Sequence, residues 1–357
     1  MDISKIDKNF AIEEKVKREN TKIYNVCESP FKVYGLIYPQ NENDFFHRMP
    51  FETAKKLGSE MEMLNHLTAG GRVKFVTDSK YIGIRAEMNT IYKMPHFSLS
   101  GSAGMDLYIK KDGKHKWIKS FIPQWYVEDG FEDDVCIQYS GMYEYTINLP
   151  SYSGITNLYI ILDENAKVFE WQGYECDKPI VYYGSSITQG ACASRPGNTY
   201  QSIIERKINY DYINLGFSGN AKGEIEMAEY IASIPMKAFV YDYDHNAPSV
   251  EHLRETHYRM FNIIRNKQPD LPIICVSRPD YHDFGQIDER RQVIIDTVEK
   301  AKALGDKNVY FVDGLSFADE LGGGDSILVD GCHPNDLGFM SMANGIGRTL
   351  ENIIKDL

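Results

Sequence analysis

The chain has 357 residues, 43% of them apolar, which is enough for two domains that each bury a core. Its formal net charge of -12 argues against a nucleic-acid partner, which needs a basic surface to meet phosphate, and against an anionic membrane face. No stretch of about 18 consecutive apolar residues occurs, and residues 1–20 are polar and rich in Lys and Glu. The expectation is a soluble, unexported, cytoplasmic protein with no membrane partner.

Residues 31–38 alternate weakly and suggest a strand, and Leu57, Met61, Leu64 and Leu67 mark a short helix over residues 57–67. The texture then becomes β. Residues 72–78, 81–88, 105–110, 117–122, 143–149 and 157–162 read as short strands separated by Gly, Asp, Asn or Pro. Such regular spacing predicts an antiparallel β-sandwich of jelly-roll-like form. After Trp171 the rhythm changes. Strands are expected at 179–183, 212–215, 238–243, 272–276 and 309–312, and helices at 199–208, 224–234, 249–266, 287–304 and 335–354. Alternation of strand and helix calls for a parallel sheet covered on both faces, an α/β domain. The boundary is expected near residues 170–178, giving a sandwich over 1–175 and an α/β domain over 176–357.

In open parallel sheets, functional residues gather at the carboxyl ends of the strands. Those ends carry Gly184-Ser185-Ser186-Ile187-Thr188, then Gly216-Phe217-Ser218-Gly219-Asn220, then Asp242-Tyr243-Asp244-His245-Asn246. Past the fifth strand comes Asp330-Gly331-Cys332-His333. These residue types suit acyl transfer. A serine needs a base, and His333 is the candidate; an imidazole needs a carboxylate, and Asp330 lies three residues before it, close enough for local pairing. The backbone N–H groups of Ser186 and Gly219 and the amide of Asn246 are candidate donors to a developing oxyanion.

The four stretches, in this order over roughly residues 178–357, resemble the four blocks of the SGNH (GDSL-like) hydrolase superfamily. The resemblance puts Ser186 in the nucleophile position, Gly219 and Asn246 in the oxyanion positions, and Asp330 and His333 in the last block. Ser185 stands where the eponymous motif has Asp, and the third block reads Asp244-His245-Asn246 where relatives have Gly-x-Asn-Asp. Gly104-Met105-Asp106-Leu107-Tyr108 also resembles the Gly-x-Asp-Leu-Tyr signature of a β-rich domain found before some SGNH hydrolases. The layout is similar to carbohydrate esterase family two, which removes acetyl groups from sugars. The resemblance implies a three-layer α/β/α domain with strand order 2-1-3-4-5 and a serine esterase acting on a small acyl ester, foremost acetyl, of a carbohydrate. It implies no cofactor and a small-molecule or oligosaccharide ester as partner; a homo-oligomer stays open. Two other functions remain: an acyltransferase using the same triad, and a carbohydrate-binding protein whose second domain is inert.

Plainer readings stand beside these. Ser186 is also well placed to cap a helix, with Ser185 then the competing nucleophile. Asp242, Asp244 and His245 admit a metal site, or simply polar groups at a sheet edge. Glu224, Glu226 and Glu229 suit a solvated helix face. Arg195-Pro196-Gly197 suits a pocket wall or a plain turn. Trp125 and Tyr126 suit core or interdomain packing ahead of sugar stacking. Cys27, Cys136, Cys176, Cys192, Cys275 and Cys332 form no C-x-x-C pair and read as free thiols. An α/β-hydrolase is set aside, because Thr188 stands where its elbow needs Gly.

Overall fold

The computed structural model describes residues 18–40, 44–279, 286–321 and 325–355. Its first half holds β1 (Thr21–Asn25), β2 (Lys32–Tyr34), β3 (Arg72–Thr77), β4 (Tyr81–Ile91), β5 (Met105–Lys111), β6 (Lys114–Phe121), β7 (Gly130–Cys136), β8 (Tyr143–Asn148), β9 (Ser153–Asp163) and β10 (Val168–Phe169). One sheet runs β1-β9-β4-β7; the other runs β10-β3-β8-β5-β6, with β2 also paired to β3. Every pairing in them is antiparallel. Val73, Phe75, Ile82, Ile84, Leu107 and Ile160 meet in one buried core between the sheets, so this half is a β-sandwich. The expected strand over 31–38 is confined to Lys32–Tyr34; the expected helix over 57–67 is α2 (Ser59–Asn65), and a further helix, α1 (Phe51–Leu57), precedes it. The two helices break at Gly58, whose φ of 110° lies outside helical space. A one-turn helix, α3 (Leu99–Ser102), precedes β5.

The second half alternates as expected. Its strands are β11 (Ile180–Gly184), β12 (Tyr212–Gly216), β13 (Ala238–Asp242), β14 (Ile273–Val276) and β15 (Val309–Val312). They form a five-stranded parallel sheet in the order β12-β11-β13-β14-β15, the anticipated 2-1-3-4-5. The helices are α4 (Ser186–Gln189), α5 (Tyr200–Ile208), α6 (Ile225–Ser233), α7 (Val250–Lys267), α8 (Ile287–Ala303) and α9 (Asp336–Lys355). Side chains alternate across the sheet: Ile180, Tyr182 and Val240 face α5 and α9, while Val181, Tyr183 and Tyr241 face α6, α7 and α8. No helix of the described residues is long and apolar enough to cross a membrane.

The two halves share a core. Met49, Ala54, Met61 and Leu64, from around α1 and α2, are buried in the cluster that covers one face of the parallel sheet. The remaining contact is polar. On β3, Val73 and Phe75 point into the sandwich, while Arg72 and Lys74 point out to the second half. Lys74 pairs with Glu205 at 2.7 Å with both side chains at most 3% exposed, and Arg72 pairs with Asp211. Tyr174 donates to Glu205 at 2.9 Å. Burial alone would raise the Glu205 carboxyl, but Lys74 and Arg72 more than reverse it and hold it at about 2.

Asp106, inside the Gly-x-Asp-Leu-Tyr stretch, makes a second tie. Fully buried, it accepts from the Gly197 N–H at 3.0 Å and from the Asn148 amide at 2.8 Å, and it pairs with Arg195 at 3.1 Å. Arg195 also donates to the Tyr108 hydroxyl at 3.1 Å. The Arg195-Pro196-Gly197 turn is thus held by the sandwich.

Candidate active site

At the end of β11 the chain has no room for a side chain: a Cβ on Gly184 would lie 2.1 Å from the Asp242 carbonyl oxygen. The chain turns there into α4. Ser185, fully buried, caps this helix, its Oγ accepting from the Ile187 N–H at 3.2 Å. Ser186 is the first helical residue, and its Oγ lies 2.9 Å from His333 Nε2.

His333 sits on a loop that closes on itself. Val329 donates to the His333 carbonyl at 2.8 Å and Asn335 to the Ile327 carbonyl at 2.9 Å, with Gly331 at φ 82° making the turn. That turn lets one carboxylate take three hydrogen bonds. Asp330 Oδ1 accepts from the backbone N–H of Cys332 at 3.1 Å and of His333 at 2.8 Å, and Oδ2 accepts from His333 Nδ1 at 2.8 Å. Partial burial pushes the Asp330 carboxyl up, but these hydrogen bonds and the His333 charge outweigh it and hold it at about 2. With the Nδ1 proton directed at Asp330, Nε2 is free to accept from the Ser186 hydroxyl.

Two of the oxyanion candidates, Gly219 and Asn246, meet at the loop after β12. Gly219 has φ 71°, and open space lies where a Cβ would project. Asn246, in a 3-10 turn (Asp244–Asn246), donates through Nδ2 to the Phe217 carbonyl at 2.8 Å, which holds its amide beside the Gly219 loop. The Ser186 N–H, at the first position of α4, has no carbonyl four residues back to receive it.

Several residues that sequence reasoning missed brace these groups. Buried Gln189 bridges α4 to the loop after β12, accepting from the Ser218 N–H at 3.0 Å and donating to the Ser151 carbonyl at 3.2 Å. From the first half, Tyr152 donates to the Ser186 carbonyl at 3.4 Å. Arg48, only 2% exposed, donates to the Gly216 carbonyl and lies 4.2 Å over the Phe217 ring. His96, also from the first half, places Nε2 3.8 Å from Asp330 Oδ2. No local pattern marks Arg48, His96 and Tyr152, because each reaches the site through the docking of the two halves.

The other candidates fall elsewhere. Asp244 pairs with Arg290 at 2.8 Å and accepts from the Arg278 N–H at 3.3 Å. Asp242 accepts from Thr188 at 3.2 Å and Tyr200 at 3.4 Å, and burial raises its carboxyl to about 8. Both carboxylates are therefore structural. His245 Nδ1 lies 3.8 Å from the Cys332 sulfur, and burial, then Arg278, keep its imidazole neutral. Glu224 does not belong to a solvated face: it accepts from the Tyr183 hydroxyl at 3.0 Å, a bond that the helix-face pattern hides. Glu226 and Glu229 are exposed. Trp125 and Tyr126 are 62% and 64% exposed and so pack into neither core nor interface. All six cysteines are free thiols.

Comparison with known proteins follows the same division. Residues 177–351 match the GDSL-like lipase/acylhydrolase family, and residues 21–168 match a GxDLY family described as the N-terminus of SGNH-hydrolase-type esterases. A crystal structure of a protein from Bacteroides ovatus described as a GDSL-like lipase is 30% identical, with TM-score 0.83, over 94% of this chain and 98% of that one. The salicylyl-acyltransferase SsfX3 from a tetracycline biosynthetic pathway is 18% identical, with TM-score 0.78, over 94% of this chain and 98% of that one. A family two carbohydrate esterase from Clostridium thermocellum, solved with cellohexaose, is 14% identical, with TM-score 0.63, over 92% of this chain and all of that one. No curated protein matches the chain.

Proposed function

The chain belongs to the GDSL-like lipase/acylhydrolase family, and from that premise we propose that it is a serine esterase that removes a small acyl group, foremost acetyl, from a carbohydrate hydroxyl. The observation that carries this reading is the unbroken line from Ser186 Oγ to His333 Nε2 at 2.9 Å and from His333 Nδ1 to Asp330 Oδ2 at 2.8 Å. In the proposed reaction, the Ser186 oxygen attacks the ester carbonyl as its proton passes to His333. The negative oxygen of the tetrahedral intermediate accepts from the Ser186 and Gly219 N–H groups and the Asn246 amide. The bond to the leaving oxygen then breaks, and His333 returns the proton to the departing alcohol. Water, deprotonated by His333, attacks the acyl-enzyme and frees the acid and Ser186. Asp330 keeps the imidazole in its working tautomer throughout. The sugar alcohol draws support from the shared layout with the family two carbohydrate esterase, whose structure contains cellohexaose.

The test is hydrolysis of p-nitrophenyl esters of increasing acyl length, followed by acetylated oligosaccharides. Acetate esters should be the fastest, and Ser186→Ala should lose the activity while Ser185→Ala keeps it. Full activity in Ser186→Ala would refute the reading. Adding alcohol acceptors separates hydrolysis from transfer: a product acylated on the acceptor, in place of free acid, would make the chain an acyltransferase.

A further inference from the structure

A second chemistry converges on the triad. Four potential metal ligands, His96, Cys192, Asp330 and His333, each offer one donor atom, and these atoms all lie within 4.8 Å of one another. They come from three separate places: His96 from the loop before α3, Cys192 from the turn after α4, and Asp330 with His333 from the last loop. Cys192 adopts φ 70°, a conformation that residues with a side chain seldom take, and it is buried beside the site. Its thiol donates weakly to the His96 carbonyl at 3.6 Å.

Two imidazoles, a thiol and one carboxylate are the donors that Zn2+ favours; Mg2+ and Ca2+ take oxygen-only sites. A tetrahedral Zn2+ with bonds of 2.0–2.3 Å spaces its ligands about 3.3–3.8 Å apart. His96 and Asp330 already stand at 3.8 Å. The widest separations need to close by about 1 Å to reach that range, and the exposed His96 side chain has the freedom to do so.

We propose that His96, Cys192, Asp330 and His333 form a reversible Zn2+ site that switches the enzyme off. Binding of the ion rests on the ligand geometry alone; the inhibition rests on the esterase reading above. Both nitrogens of His333 are committed, Nε2 to Ser186 and Nδ1 to Asp330. Whichever nitrogen the metal takes, one link of the proton relay breaks. The thiol proton of Cys192 is released on binding.

Isothermal titration of Zn2+ into the chelator-stripped full chain tests the site, alongside p-nitrophenyl acetate turnover. The expected result is one saturable site per chain, with activity falling in step, restored by EDTA, and unaffected by equal Mg2+. His96→Ala and Cys192→Ser should each weaken Zn2+ binding by at least about ten-fold, since even residues that only support a ligand cost that much. Inhibition is scored against each variant's own metal-free rate. His96 is exposed, so its variant does not threaten folding. Ser186→Ala should bind Zn2+ like the parent chain while lacking turnover. Failure of Zn2+ to saturate a single site, or affinity unchanged in both His96→Ala and Cys192→Ser, would overturn the proposal. Normal Zn2+ binding in a chain that never turns over ester would instead refute the esterase reading and leave the site standing.

Discussion

Ser185 and Ser186 are adjacent and chemically identical, yet the backbone gives them opposite surroundings. Ser185 is fully buried with its hydroxyl spent on the Ile187 N–H, whereas Ser186 meets His333. Ser185→Ala should therefore cost about 1 kcal/mol of stability through the lost cap, measured by thermal unfolding, while keeping esterase activity. Asp330→Asn should lower kcat by about 10³–10⁴-fold with little change in fold, because the amide favours the wrong imidazole tautomer. The depressed Asp330 carboxyl sets the sign of a pH prediction. It stays ionised down to about pH 2, so any fall in kcat/KM on acidification between pH 7 and pH 4 belongs to another group. A pH profile of the parent chain checks this. The pairing of Asp330 with His333 was legible because a spacing of three residues closes within one turn. Arg48, His96 and Tyr152 were not, since their neighbours lie more than a hundred residues away or across the interface between halves.

At the scale of elements, legibility followed burial. The five parallel strands are covered on both faces, so they read as continuous apolar runs and were found within a residue or two. β7 escaped because its sequence, Gly-Phe-Glu-Asp-Asp-Val-Cys, is acidic. It holds as a strand through its partners: Asp133 receives Lys119 Nζ at 2.5 Å, and Arg85 pairs with Glu132 at 2.5 Å from the neighbouring β4. The Asp106 tie gives a prediction here. A Cβ on Gly197 would lie 2.5 Å from Asp106 Oδ2 and 2.6 Å from the Tyr108 ring. Gly197→Ala should destabilise the protein by about 1–3 kcal/mol, as overpacking does, visible as a lowered denaturation midpoint.

Across the whole molecule, sandwich and α/β layer are joined by a shared apolar core and by buried charge. Removing one partner of the Lys74–Glu205 pair leaves the other uncompensated, so Glu205→Gln should cost about 3–5 kcal/mol. A Lys74→Met, Glu205→Leu double variant should lose less than the single one, since it buries no charge. The Glu205 carboxyl is depressed from its ordinary 4.5 to about 2. Its contribution is therefore fully present above about pH 4.5 and lost as pH falls toward 2. Thermal unfolding from pH 7 to pH 3 should show a steeper acid loss for the parent chain than for the double variant. This interface could not be read from the sequence, where Arg72 and Lys74 look like the solvated side of an ordinary strand; only the docked second half makes them buried.

The central claim is that Ser186 is activated by His333. Peptide mapping by mass spectrometry after reaction with a fluorophosphonate measures it directly. The account predicts a single covalent adduct on Ser186 that His333→Ala abolishes. An adduct on Ser185, or none on either serine in the parent chain, would contradict it.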